Sequence, residues 1–169
     1  LCQASLNDGC RPRPADFGNY RQNDTDHLRS LLAKRRQARR TLIVTDGLFS
    51  MDGDLAPLPE LSRLAQDYEA ELYIDDAHGT GVMGPHGRGT AEHFDIEPQI
   101  PFHMGTLGKA FGSSGAYLAG TSIVIRYLMN TSRSFIFTTA PPPSSAAAAT
   151  AALRILQREP ERRASESIR

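Results

Sequence analysis

The chain has 169 residues, 19 Lys and Arg against 19 Asp and Glu, 40% hydrophobic residues and 7% aromatic ones. Zero formal charge removes the electrostatic case for a nucleic-acid or acidic-membrane partner, and 22% charged residues beside a full apolar complement argue against disorder. The length suits one domain or part of a larger one.

The N-terminal stretch Leu1 to Cys10 has neither a basic n-region nor an apolar h-region, so it does not read as a signal peptide. Its two cysteines, Cys2 and Cys10, make no disulfide framework and no CxxC spacing, and read as reduced thiols of a cytoplasmic protein. The arginines at 11, 13, 35, 36, 39 and 40 read as solvated charge. Asp24 or Asp26 is expected to cap a helix through Leu28, Leu31 and Leu32. Thr41 to Thr45 is a short β-branched apolar run and reads as a buried strand. After Pro57 and Pro59, Leu58, Leu61, Leu64, Ala65 and Tyr68 recur at helical spacing, predicting a helix over 58–69. Strands follow at 72–75, 101–105 and 116–120. A helix over 121–131 has Thr121 or Ser122 as its expected cap, and a last helix runs from Pro141–Pro143 to Gln157. No apolar stretch is long enough to span a bilayer. Strand and helix alternate with about 30 residues per repeat, the period of βαβ units, so a mostly parallel α/β sheet covered on both faces is expected.

Ligands of such sheets bind beyond the carboxyl ends of the strands. Three successive strand ends there read Asp46-Gly-Leu-Phe-Ser50-Met-Asp-Gly-Asp54, Asp75-Asp-Ala-His78-Gly-Thr-Gly81 and Gly105-Thr106-Leu-Gly-Lys109-Ala-Phe-Gly112. Gly105 and Gly108 stand too close for a P-loop, and Ala110 follows the lysine where Ser or Thr is needed; Gly84-Pro-His-Gly87-Arg-Gly89 does not match a dinucleotide fingerprint. Asp75, Asp76, His78, His86 and His93 match no metal-ligand spacing, and no metal is expected. His86, His93 and His103 read as surface or core histidines. The remaining candidate is a Schiff-base lysine, Lys109. Pyridoxal phosphate (PLP) chemistry needs such a lysine, an acid at the ring nitrogen and donors for the phosphate. Asp75, Thr106, Ser50 and His78 supply these parts.

These three motifs, with 25 residues from Ser50 to Asp75 and 34 from Asp75 to Lys109, together with Gly87-Arg-Gly-Thr-Ala-Glu-His93 and Phe135-Ile-Phe-Thr-Thr-Ala140, resemble the α-oxoamine synthase family of fold-type-I PLP-dependent enzymes. The resemblance runs from about Ala4 to Gln157. It implies a three-layer α/β sandwich with a mostly parallel sheet, the PLP-dependent transferase fold. Lys109 would hold the cofactor covalently and help move the Cα proton. Asp75 would pair with the ring nitrogen, and Asp76 would point to the opposite face, since strand side chains alternate. His78 and Ser50 would bond the ring's phenolic oxygen, Thr106 the phosphate, and Thr138 or Thr139 the phosphate of the partner subunit's cofactor in a homodimer with shared sites. The implied reaction is decarboxylative condensation of L-alanine with a pimeloyl thioester, carried on CoA or an acyl carrier protein. A glycine-using member of the family has the same parts. Where the family stacks a histidine on the ring, this chain has Gln3, whose amide lies flat but is no acid or base near neutral pH; a non-catalytic paralogue is the reading that Gln3 favours.

The family's chains are more than twice this long. Residues 1–169 are therefore expected to be the central part of the PLP-binding large domain, with an N-terminal segment and a C-terminal small domain missing and Leu1 a cut edge. Such a piece leaves sheet edges and apolar faces open, and poor solubility is expected of it alone.

Overall fold

The computed structural model describes residues 16–35 and 37–164; Gln3, Cys2, Cys10, Arg11, Arg13 and Arg36 lie outside them. The elements run α1 (Thr25–Lys34), β1 (Leu42–Asp46), α2 (Leu58–Asp67), β2 (Glu71–Asp75), α3 (Thr90–His93), a 3-10 turn (Glu97–Gln99), β3 (Phe102–Thr106), β4 (Ala116–Gly120), α4 (Ser122–Thr131), α5 (Arg133–Ile136), α6 (Pro143–Arg158) and α7 (Glu161–Ala164). Every strand and long helix expected from the sequence is present, with ends shifted by one or two residues.

Of the two expected caps for α1, Asp24 is the one used: its carboxylate accepts the His27 N–H at 2.7 Å, satisfying a donor of the first turn that has no intrahelical partner. Thr121 occupies the N-cap of α4, but its side chain makes no capping bond, and Ser122 is the first helical residue. Helix α2 begins with proline in its first turn and buries Leu58, Leu61, Leu64 and Ala65 on one stripe. It ends with Glu69 at φ 50, so that Ala70 N–H reaches back to Ala65 O at 2.7 Å. This left-handed residue turns the chain into β2, which begins two positions later. Asp95 (φ 55) ends α3 the same way, with Ile96 N–H on Ala91 O at 3.0 Å.

The sheet has the order β1-β2-β3-β4. β1 and β2 pair parallel with Asp46 opposite Asp75, and β2 pairs parallel with β3 with Asp75 opposite Met104. β4 pairs antiparallel with β3. A parallel crossover needs a dozen residues or more; only residues 107–115 join β3 to β4, so the chain turns back. The core lies in the first hundred residues, where Ile43, Leu72 and Ile74 of the sheet meet Leu28 and Leu32 of α1, the stripe of α2, Ala91 and Ile96. Cover on both faces, expected from the parallel pattern, stops there. β4 has no buried residue, and neither α4 nor α6 buries one; Ile123, Tyr127, Phe135 and Phe137 are each more than half exposed. Among the described residues no helix is long and apolar enough to cross a membrane.

The two halves should therefore answer differently to truncation. Leu64→Ala, at a fully buried position, is expected to cost about 2–5 kcal/mol through lost transfer energy and a residual cavity. Ile123→Ala, 73% exposed, is expected to stay within about 0.5 kcal/mol. Urea denaturation of the two variants beside the parent checks the contrast.

Candidate functional site

The parallel register brings the carboxyl ends of β1, β2 and β3 to one level, and the polar segments that follow them converge there. Gly47 N–H donates to Asp75 O at 2.8 Å, joining the segment after β1 to the end of β2. Asp75 is buried, and its Oδ1 accepts Ala77 N–H at 3.1 Å. This is an Asx turn, and it ends β2 and throws His78 out beyond the strand. After β3 the chain makes a compact loop. Leu107 N–H bonds Gly115 O at 2.9 Å, Ser113 N–H bonds Leu107 O at 2.8 Å, and Gly112 N–H bonds Lys109 O at 2.9 Å. Gly112 (φ 56) and Gly115 (φ 104) sit where a side chain would strain the backbone. The loop lifts Lys109 toward His78, and Lys109 Nζ lies 2.7 Å from His78 Nε2.

Burial lowers the His78 pKa from its ordinary 6.5, and the neighbouring Lys109 charge lowers it further; Asp75 opposes both without reversing them. His78 is thus neutral at pH 7. A neutral ring with Nε2 as acceptor takes an N–H from Lys109 without charge repulsion. An amine, a neutral imidazole and a buried carboxylate near enough to act on that imidazole form one cluster, from residues 75, 78 and 109.

The other residues expected at the site are placed differently. Ser50 is exposed in the loop after β1, which is closed by Phe49 N–H on Asp54 O at 2.9 Å and by the Leu48–Leu55 bridge. The Thr106 hydroxyl donates to Gly115 O at 3.1 Å and accepts Gly108 N–H at 3.1 Å, so in this structure it braces the Lys109 loop. Thr138 and Thr139 are exposed between α5 and α6. Among the described residues no group of three His, Cys, Asp or Glu side chains is arranged to hold a metal ion.

His86 pairs with Glu92 at 2.6 Å. Burial of the Glu92 carboxyl raises its pKa, but the N–H groups of Arg88 and His86 and the His86 ring outweigh burial and hold it below the ordinary 4.5. His103 is bound to Asp76 (2.9 Å), whose carboxylate also accepts from Thr90. Asp76, just past the end of β2, thus serves the interior. That Thr90 and His103 close on it was not readable, since they stand 14 and 27 residues away in sequence; the only local signal was the Asp-Asp doublet itself.

Residues 4–167 match the family model described as aminotransferase class I and II. The chain is 52% identical over 164 residues to 8-amino-7-oxononanoate synthase of Methylococcus capsulatus, covering 96% of this chain and 42% of that protein. It is 54% identical over 164 residues to the protein of the same name from Geobacter sulfurreducens, covering 97% and 42%. The chain thus spans about two fifths of the length of these curated relatives. Among solved structures it is similar to serine palmitoyltransferase from S. paucimobilis with a bound PLP–myriocin aldimine (TM-score 0.91, 34% identity, 95% of this chain and 42% of that one). It is also similar to 8-amino-7-oxononanoate synthase from Francisella tularensis (TM-score 0.82, 31% identity, 96% and 47%). The α/β fold expected from the sequence is the fold of these enzymes.

His78 should titrate below 6.5, and Lys109→Met should move its midpoint up toward 6.5 without reaching it, because burial remains. NMR of the His78 ring checks both. The unfolded chain binds the proton more readily, so the His78 contribution to stability falls as pH drops through 6.5. Glu92 has a lowered folded pKa, so its contribution is present above about pH 4.5 and is lost as pH falls through the folded value; Glu92→Gln should flatten the acid limb of a stability–pH curve.

Proposed function

The chain belongs to the aminotransferase class I and II family, and we propose that it is the central part of the large domain of a PLP-dependent α-oxoamine synthase. The reaction proposed is condensation of L-alanine with a pimeloyl thioester, with loss of carbon dioxide, to give 8-amino-7-oxononanoate. The observation that carries this reading is the contact between Lys109 and a neutral His78 beside buried Asp75. It occurs in a chain about half identical to two proteins named for that synthase.

The donor set fits the cofactor by its chemistry. Lys109 offers the amine for covalent attachment, Asp75 a carboxylate for the ring nitrogen, His78 and Ser50 hydrogen bonds for the ring oxygen, and Thr106 a hydroxyl for the phosphate. When bound, PLP supplies an electron sink for the charge that develops at the amino acid's Cα. Lys109 is the group that holds and moves the Cα proton, and His78 orients it. Asp75 keeps its place because Oδ1 is anchored to the Ala77 N–H. Thr106 binds a phosphate oxygen by turning its hydroxyl away from Gly115 O. Thr138 or Thr139 would face the phosphate of the neighbouring subunit's cofactor in a cytoplasmic homodimer. The alternative with an observation behind it is a non-catalytic paralogue, favoured by Gln3 at the ring-stacking position.

A chimera in which residues 4–167 replace the matching segment of the M. capsulatus synthase tests the reading. Borohydride reduction after incubation with PLP should leave a pyridoxyl group on Lys109, located by peptide mass spectrometry. Lys109→Ala should abolish the adduct and lower turnover by about 10³-fold or more. Alanine with pimeloyl-CoA should release carbon dioxide; release with glycine alone would move the assignment to a glycine-using member. In a second chimera that begins at Gln3, Gln3→His should raise turnover from background if the paralogue reading stands.

A further inference from the structure

Asp76 has no exposed surface, and the proposed reaction gives it no part. Its carboxylate nevertheless has three donors: Thr90 N–H to Oδ2 at 2.7 Å, the Thr90 hydroxyl to Oδ1 at 3.0 Å, and His103 Nε2 to Oδ2 at 2.9 Å. Its backbone is engaged as fully. The N–H donates to Met104 O at 2.9 Å, and the carbonyl accepts Gly79 N–H at 3.1 Å and Thr80 N–H at 2.8 Å. One residue therefore ties the end of β2 to β3 and to the start of α3, and closes the turn on which His78 stands.

Packing leaves this carboxylate no second position. A Cβ at Gly47, Gly79 or Gly89 would overlap either the Asp76 carboxylate or the Thr90 hydroxyl, so three separate chain segments press on it with nothing larger than hydrogen. A buried carboxyl group is costly unless every oxygen is satisfied, and an apolar residue would close a strand end without that cost. Asp76 stands immediately after Asp75 and two residues before His78.

We propose that Asp76, gripped by Thr90 and His103, is a positioning residue for the site. It fixes the peptide between Asp75 and His78 and so keeps the His78 ring within hydrogen-bond reach of Lys109. The inference rests on the proposed reading of that site and deepens it. It makes Thr90 and His103 part of the machinery at one remove, through the backbone of residues 76–80.

The test uses the chimera with two pairs of variants. Thr90→Val removes the hydroxyl at constant volume and Thr90→Ser keeps it; His103→Leu removes the ring donor and His103→Gln retains an N–H. In the cofactor-free protein, the His78 midpoint measured by NMR should move up toward 6.5 in the Val and Leu variants and return in Ser and Gln. In the loaded protein, kcat should fall about 10- to 100-fold in the Val and Leu variants, the cost of a small misplacement of catalytic groups. KM for the amino acid should change less than about twofold, and Ser and Gln should restore kcat. An unmoved His78 midpoint in folded Thr90→Val overturns the proposal, as do equal losses in Ser and Val, which would make the cluster mere packing. If His103→Leu does not fold, the Thr90 pair decides. Should the unmutated chimera give no pyridoxyl group on Lys109, the functional reading fails instead, while the His78 titration, which needs no cofactor, still judges the positioning role.

Discussion

A carboxyl group placed where no solvent reaches it must find its donors in the protein, and at Asp76 that requirement organises everything around it. The N-terminus of α3 is drawn in to supply Thr90, β3 supplies His103, and the glycines at 47, 79 and 89 are small because the carboxylate and its donors fill the space. The glycine-rich run from residue 79 to 89 invites a reading as a ligand-binding loop. Gly79 and Gly89 are instead explained by close approach to an internal side chain, and Gly84 by the Glu92 carboxylate against which a Cβ there would press.

The same economy of position governs the cluster that faces outward. Parallel pairing of β1, β2 and β3 sets their carboxyl ends at one level, so residues after β2 and after β3 need only short turns to meet. An Asx turn carries His78 out from β2, and a glycine-hinged loop carries Lys109 out from β3. The electrostatics follow from the meeting. A histidine that is partly buried and faces a lysine stays neutral and becomes an acceptor. The lysine, held at 2.7 Å, loses the freedom of a side chain that would otherwise sweep a wide volume.

Much of this was legible in the residues. The stripe of α2 and the cap at Asp24 follow from spacing and side-chain chemistry alone. The direction of β4 is also present in the sequence as a connection too short for a crossover, whereas the repeat of about 30 residues that precedes it is that of parallel units. Helices of four residues, such as α3 and α5, carry too little periodicity to be seen. Thr106 shows the limit for sites: a hydroxyl at a strand end reads equally as a brace or as a ligand donor, and only the two hydrogen bonds it makes show that it braces the loop here. The uncovered faces of α4 and α6 are amphipathic in sequence, yet a periodic pattern states that a face is apolar and not what it meets.

The order β1-β2-β3-β4 is also the order of the chain, which bears on how the fold is reached. Each parallel pairing joins residues twenty-nine apart, as Leu42 to Glu71 and Tyr73 to Phe102, and the antiparallel one closes over fewer still. Among the described residues, each of β2, β3 and β4 pairs with the strand before it in the chain. The entropy of closing a loop rises only slowly with its length, so a twenty-nine-residue crossover costs little more than a shorter connection. Among the described residues, β1 to β3 and the core they carry precede α4 to α6 in the chain, so this part of the sheet can form as the polypeptide leaves the ribosome before those helices have been made.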